Sequence, residues 1–175
     1  MTTRIPTPGQ TVGPFFGYAL PFDGDNELVP VGRPDAVRLH GRVLDGAGQG
    51  VPDAIIELWQ LAPDGSVPRA EGSFQRDGYT FTGWGRASTD RTGHYQFTTL
   101  RPGAPSSGAA PYFGLTVFAR GLLDRLFTRA YLPGAAPAAL RSLDAEADDL
   151  GFVFDIRLQG EDETVFLSYT QGRTD

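Results

Sequence analysis

The chain has 175 residues, of which 40% are hydrophobic and 11% aromatic, which predicts one globular domain over residues 1–175. Its net charge is −6, every cationic residue is Arg, and Cys is absent, which disfavours nucleic-acid binding, Lys nucleophiles, disulfides and thiolate metal sites. The sequence contains no apolar run long enough to span a membrane and begins with no secretion signal, so we expect a cytoplasmic protein.

The first 35 residues form an N-terminal arm rich in Pro, Gly and Thr, a composition that predicts no helix. The arm nevertheless carries Phe15, Phe16, Tyr18 and Leu20, which a solvated tail has no reason to carry. Two interpretations are open: the arm wraps over its own domain, or it docks on a partner.

Strand patterns begin at residue 36. Residues 37–44 alternate, with Val37, Leu39, Gly41 and Val43 on the predicted inner face, and 54–60 form a second, largely apolar strand. After an irregular loop at 62–78, residues 81–90 and 94–100 flank the turn sequence DRTG and predict a hairpin.

The second half of the chain continues the pattern. A Pro/Gly-rich loop at 101–111 precedes two strands, Tyr112–Ala119 and Arg125–Leu132. Residues 133–151 predict one short helix that ends at Gly151, and 152–160 and 163–169 predict two closing strands. Seven to nine short strands with one helix and long Pro/Gly-rich loops predict a mainly β fold, an antiparallel β-sandwich.

Residue types that perform catalysis are scarce in this chain. His40 and His94 show no metal-ligand spacing and are more simply hydrogen-bonded surface groups. The acidic run of Asp144, Glu146, Asp148 and Asp149 is most simply the solvated face of the predicted helix. No hydrolase triad pattern and no phosphate-binding glycine loop is present.

Five segments carry a resemblance to a known family: 7–16 (TPGQTVGPFF), 54–60 (AIIELWQ), 83–103, 115–134 and 154–166. Together they resemble the intradiol ring-cleavage dioxygenases, and within that family the alpha type of the two-subunit enzymes. The resemblance extends from Thr7 to about Tyr169. It implies an enzyme that opens a catechol ring between its two hydroxyl-bearing carbons with O2, built from β-sandwich subunits.

The resemblance also implies where the metal lies. In the family, a partner beta subunit holds a non-haem Fe(III) through two Tyr and two His. The corresponding positions in this chain are Val67, Pro105, Tyr112 and Gly114. None keeps its ligand type, so we expect no metal in this chain and an Fe(III) held by the beta subunit.

A contribution to the partner's pocket is implied instead. The family's alpha subunits reach the beta subunit's iron pocket with the N-terminal arm and one Arg, which here match Thr11, Gly13, Pro14 and Arg129. We therefore expect the arm to pack on the partner in a hetero-oligomer of αβ units. The plainer interpretation of Arg129 is an ion pair across a strand pair.

A different class of function stays open. Residues 41–58 also resemble the strand–turn–strand of transthyretin-like β-sandwiches, which bind partners without chemistry.

Overall fold

A computed structural model describes residues 8–13, 15–69 and 76–168. Its elements in chain order are helix α1 (Phe16–Ala19), strands β1 (Ala36–Leu44), β2 (Ile55–Trp59), β3 (Trp84–Ser88), β4 (His94–Leu100), β5 (Tyr112–Phe118) and β6 (Leu126–Tyr131), a 3₁₀ helix (Ala138–Leu143), and strands β7 (Glu146–Asp148), β8 (Gly151–Val153) and β9 (Ile156–Arg157). Pro14 and the ranges 1–7, 70–75 and 169–175 lie outside the described residues.

The first sheet has the strand order β4-β1-β8-β7, with β9 also paired to β1. Strand β1 is antiparallel to β4 and parallel to β8 and β9. The alternation along β1 places Leu39, Gly41 and Val43 in the interior and exposes Arg42, as the sequence pattern predicts.

The second sheet has the order β3-β2-β5-β6 and is antiparallel throughout. Its inner face contributes Leu58, Phe113, Leu115, Val117 and Ala130, each at most 3% exposed. Residues of both sheets join one hydrophobic cluster, so the two sheets pack face to face as a sandwich. The predicted fold class is confirmed, with two parallel strand pairs added to the antiparallel arrangement.

The predicted hairpin of 81–90 and 94–100 is wrong. Its turn forms, because the Asp90 carboxylate accepts hydrogen bonds from the amides of Thr92 and His94, at 2.7 and 3.0 Å. The strands on either side separate, however, since β3 pairs with β2 in the second sheet and β4 pairs with β1 in the first. The turn is thus the corner where the chain passes between sheets.

The prediction of one helix within 133–151 is correct only for the first part. A 3₁₀ helix covers Ala138–Leu143, after which Glu146–Asp148 and Gly151–Val153 form the antiparallel pair β7–β8. Gly151 therefore begins a strand instead of ending a helix, and the acidic run does not lie on a helical face. The prediction that the N-terminal arm contains no helix is also wrong, because the short helix α1 lies within the arm.

Segments outside the sheets cover three of the sheet edges. Residues 25–29 bridge β3 and β4: the carbonyl of Asp25 accepts from the amide of Arg86 at 2.8 Å, and the amide of Leu28 donates to Thr98 at 2.8 Å. Residues 163–168, predicted as a strand, run beside β6, where the amide of Leu167 donates to the Phe127 carbonyl at 2.7 Å. They form no assigned strand. No helix in the described ranges is long and apolar enough to cross a membrane.

Candidate functional site

A cleft of about 150 Å³ lies on the outer face of the second sheet, and we call it the outer-face cleft. It is formed where β2 ends and β5 begins, because these antiparallel strands pair Trp59 with Gly114. Strand β6 adds the third wall, with Arg129 opposite Gly114. The lining residues are Trp59, Tyr112, Gly114, Leu115, Thr116, Phe127, Thr128 and Arg129.

Arg129 defines the chemistry of this cleft. Its guanidinium lies over the ring of Tyr112, 4.3 Å from the ring centroid, in a cation–π contact. Its Nη1 atom also donates to the hydroxyl of Tyr131 at 3.2 Å, and the rings of Tyr112 and Tyr131 meet edge to face, with centroids 5.7 Å apart. The cleft therefore presents a positive charge that is held between aromatic walls.

Two of the four predicted ligand positions lie on neighbouring loops and are not among the residues that line the cleft. Val67 is 52% exposed in the loop that follows β2, and half-buried Pro105 lies in the loop that precedes β5. The loops are in backbone contact, since the Gly103 amide donates to the Ala62 carbonyl at 3.1 Å. Gly65 permits the approach: it has a φ of +82°, and a Cβ there would lie 2.2 Å from the Ala104 carbonyl oxygen.

The residues at these four positions do not fit a ferric ion. Val67, Pro105 and Gly114 have no side-chain donor atom, which leaves the phenol of Tyr112. The guanidinium over the Tyr112 ring places a positive charge where a metal cation would be opposed. Within the described ranges, no group of three or more His, Cys, Asp or Glu side chains is arranged to hold a metal ion.

The arm residues lie apart from the cleft. Thr11 is exposed, and its Oγ1 accepts a hydrogen bond from the amide of Gly121 at 2.8 Å, at the tip of the β5–β6 hairpin. Gly13 is exposed, with open space where a side chain would project. Pro14 lies outside the described residues. Within this chain the structure does not bring Thr11 and Gly13 together with Arg129, which is on the hairpin's strand and not at its tip.

The two histidines belong to the opposite side of the sandwich. His40 on β1 and His94 on β4 face outward from the first sheet, with ring centroids 5.9 Å apart, and His40 Nε2 is 2.9 Å from Asp148 Oδ2. Burial acts to raise the pKa of Asp148, but the amides of Leu150 and Gly151 together with His40 outweigh it, and the pKa is lowered. This arrangement fits the predicted hydrogen-bonded surface role.

Sequence reasoning did not single out three residues that the structure places at the cleft or at the arm. Trp59, which is 39% exposed, and Phe127 line the cleft, and their outward placement follows from the parity of β2 and β6. Gly121 was also missed, because a contact between a hairpin tip and the N-terminal arm leaves no periodic signal in the sequence.

The face-to-face sandwich is a fold that this chain shares with solved dioxygenases. Among solved structures, the dioxygenase domain of a dioxygenase–carbohydrate-binding protein fusion from Streptomyces sp. SirexAA-E matches with a TM-score of 0.57 and 22% identity, covering 89% of this chain and 99% of that one. An intradiol ring-cleavage dioxygenase from Tetranychus urticae matches with a TM-score of 0.57 and 16% identity, covering 86% and 92%. At these identities the likeness shows the fold.

Sequence comparison is more specific. Residues 11–114 match a family model described as "Dioxygenase". The chain is 35% identical to the protocatechuate 3,4-dioxygenase alpha chain of Burkholderia cepacia, over 95% of this chain and 99% of that relative. It is 33% identical to the alpha chain of Pseudomonas putida, over 93% and 96%, and 31% identical to the beta chain of Burkholderia cepacia, over 82% and 74%. The chain belongs to the intradiol ring-cleavage dioxygenase family, as the resemblance implied.

Proposed function

We propose that this chain is the alpha subunit of a cytoplasmic protocatechuate 3,4-dioxygenase that works as a hetero-oligomer of αβ units. The similarity to alpha chains over nearly the full length of both proteins supports the assignment. The similarity to a beta chain supports a partner of the same fold. The binding-module alternative has no comparable support.

The observation that carries the proposal is the donor set of the four ligand positions. Val67, Pro105, Tyr112 and Gly114 supply one phenol and no imidazole. We therefore assign the Fe(III) to the beta subunit and a site-completing role to this chain. The chain folds as one domain over 1–175, and within the arm of residues 1–35 the part before residue 25 packs on the beta subunit, since residues 25–29 cover the chain's own sheet edges.

The proposed reaction is the cleavage of protocatechuate between its two hydroxyl-bearing carbons. One O2 is consumed and both oxygen atoms enter the product, 3-carboxy-cis,cis-muconate, so no external reductant is needed. The substrate carries a carboxylate, and the reaction passes through anionic species in the pocket. A fixed cation at the subunit boundary stabilises both.

Arg129 is the group of this chain best suited to that task. Its charge is permanent, and its contacts with Tyr112 and Tyr131 hold the guanidinium in one orientation. Thr11, Gly13 and Pro14 contribute the arm's side of the pocket, where glycine lets the backbone approach a ligand closely.

The test is reconstitution from separately purified subunits. The experiment requires the matching beta subunit, this chain alone, and the two together, each assayed for iron by elemental analysis and for protocatechuate-dependent O2 uptake. We expect less than stoichiometric iron and no ring cleavage for this chain alone, and restored cleavage for the pair. Stoichiometric iron in the isolated chain, or cleavage by it unaided, would contradict the proposal.

A further inference from the structure

We propose that Thr11 is a positioning residue: its hydroxyl fastens the N-terminal arm to the tip of the β5–β6 hairpin, the element that also carries Arg129. The inference rests on the proposed function, because it concerns how the arm is delivered to the partner's pocket. It specifies how Thr11 contributes to the arm's side of the pocket, namely by anchoring the arm that carries Gly13 and Pro14.

The anchoring hydrogen bond is short and its donor is well placed. The amide of Gly121 donates to Thr11 Oγ1 at 2.8 Å, and this bond is the one that joins 8–13 to the hairpin in the described part of the chain. Gly121 has a φ of +90°, the left-handed region that glycine adopts without strain, which turns its amide outward at the tip. One acceptor position of the Thr11 hydroxyl is thus used within its own chain.

A second contact holds the chain on the other side of residues 13 and 14. The backbone of Gly17 approaches Asp53 so closely that a Cβ on Gly17 would lie 3.3 Å from the Asp53 Cβ. Asp53 in turn pairs with Arg120 of the hairpin tip, at 3.2 Å between Oδ2 and Nη2. The arm is therefore attached to one tip at two points, through the hydrogen bond of Thr11 and through the approach of Gly17 to Asp53.

Packing alone does not fix the arm. A cleft of about 180 Å³ lies between the arm and the hairpin, lined by Gln10, Val12, Phe118, Ala119, Leu122, Leu123, Asp124 and Arg125. The arm comes near the hairpin at Gly9, where an added Cβ would lie 3.5 Å from the Leu123 Cβ. With space left beneath the arm, the directional hydrogen bond contributes the restraint that apolar contact does not.

The β5–β6 hairpin is rigidly held by the core of the sandwich. Its inward residues Phe113, Leu115, Val117 and Ala130 are at most 2% exposed, so its strands are fixed by the core. Because the tip holds the arm and the strand holds Arg129, one rigid element sets the spacing between both contributions to the pocket. Accurate placement of such groups is worth large factors in rate.

The experiment compares four variants in the reconstituted αβ enzyme with protocatechuate as substrate. Thr11→Val keeps the shape and removes the acceptor, and we expect kcat/KM to fall about fivefold, the worth of one neutral hydrogen bond. Thr11→Ser restores the acceptor, and we expect it to recover most of the wild-type kcat/KM. Arg120→Gln weakens the second attachment without altering the arm, and we expect about a twofold fall. Thr80→Val, which removes an exposed hydroxyl bond of 2.6 Å to Asp77 in the loop before β3, is the matched control and leaves kinetics unchanged.

Hydrogen exchange separates anchorage from substrate contact. In this chain, Thr11→Val should speed exchange of the Gly121 amide, and Thr11→Ser should not, whatever the catalytic state of the complex. Unchanged Gly121 exchange in Thr11→Val, wild-type kcat/KM in that variant, or an equal loss in Thr11→Ser would each overturn the inference. Failure of the proposed function has a different signature, since wild-type chain would then give no cleavage with the beta subunit.

Discussion

Replacing Arg129 with Met tests the outer-face cleft most directly, because Met keeps an apolar stem and removes the charge and the donors. Two contacts described above are lost. The cation–π contact at 4.3 Å from the Tyr112 ring centroid is worth about 1 kcal/mol in a half-buried site. The hydrogen bond to the Tyr131 hydroxyl, at 3.2 Å, contributes about 1 kcal/mol.

We therefore expect Arg129→Met to lower the free energy of unfolding by about 2 kcal/mol, measured by urea denaturation of the isolated chain. Tyr131→Phe removes the second contact alone and should cost about 1 kcal/mol. In the double variant the two losses should overlap, with a coupling energy of about 1 kcal/mol. A coupling energy near zero would refute the contact between the Arg129 guanidinium and the Tyr131 hydroxyl.

The same substitution in the αβ enzyme tests the role in catalysis. Loss of a charged partner for a substrate carboxylate costs about 1.5–3 kcal/mol, which corresponds to roughly a ten- to hundredfold fall in kcat/KM. Iron content should stay normal, because the iron is assigned to the other subunit. The kcat/KM of Arg129→Lys should lie between those of the wild type and Arg129→Met, since Lys keeps a point charge without the planar guanidinium. Unchanged kinetics in Arg129→Met would remove Arg129 from the pocket.

The remaining predictions concern the scaffold. Gly41→Ala should lower the free energy of unfolding by about 2–3 kcal/mol in urea denaturation, because its Cβ would lie 2.0 Å from the Phe154 carbonyl oxygen. The control Gly9→Ala meets only ordinary contacts and should have little effect in the same assay. Equal effects of the two substitutions would contradict the close approach at Gly41. The Asp77 carboxyl should titrate at about 2 in a carbon-detected NMR experiment, because the Thr80 hydroxyl and two backbone amides lower its pKa. Its folded pKa is below the unfolded value of about 3.9, so its contribution to stability is complete above about pH 4 and is lost as the pH falls through about 2. A titration near the unfolded value would contradict this network.

Strands could be predicted from the sequence where one strand buries alternate residues. Residues 37–43 and 112–118 show this period, and the structure places those strands within a residue or two of the prediction. Which strands pair could not be predicted in the same way. The DRTG turn forms locally, but packing in two separate sheets decides that β3 and β4 diverge.

The predicted helix failed for a related reason. Leu140 and Leu143 fit a helical period and lie in the 3₁₀ segment, but the same spacing at Ala147 and Leu150 is accidental, because those residues belong to the β7–β8 pair and its turn. The side chain of Asp144, assigned by sequence to a solvated face, instead accepts from the amide of Ala136 at 2.8 Å and fixes the end of the 3₁₀ helix.

The candidate site, like the fold, could be predicted from the sequence only in part. The resemblance pointed to Tyr112, Gly114 and Arg129, and the structure brings these three into one cleft because β5 and β6 pair in register. The roles of these residues and of the arm stay predictions. The contact of Thr11 with Gly121 joins two loops, and only tertiary packing determines it.

The connectivity of the two sheets bears on the order in which the chain folds. The β5–β6 hairpin joins strands that are adjacent in sequence, so closing it costs little chain entropy. The sheet of β1 is instead complete only when β1 pairs with β8 and β9, which contain Gly151 and Ile156 near the far end of the described chain. On topology alone, the hairpin that carries Arg129 can form early, and the sheet that shields its core face closes last. Phe113 gains part of its packing only at that stage, because its ring meets that of Phe152 on β8, with centroids 5.8 Å apart.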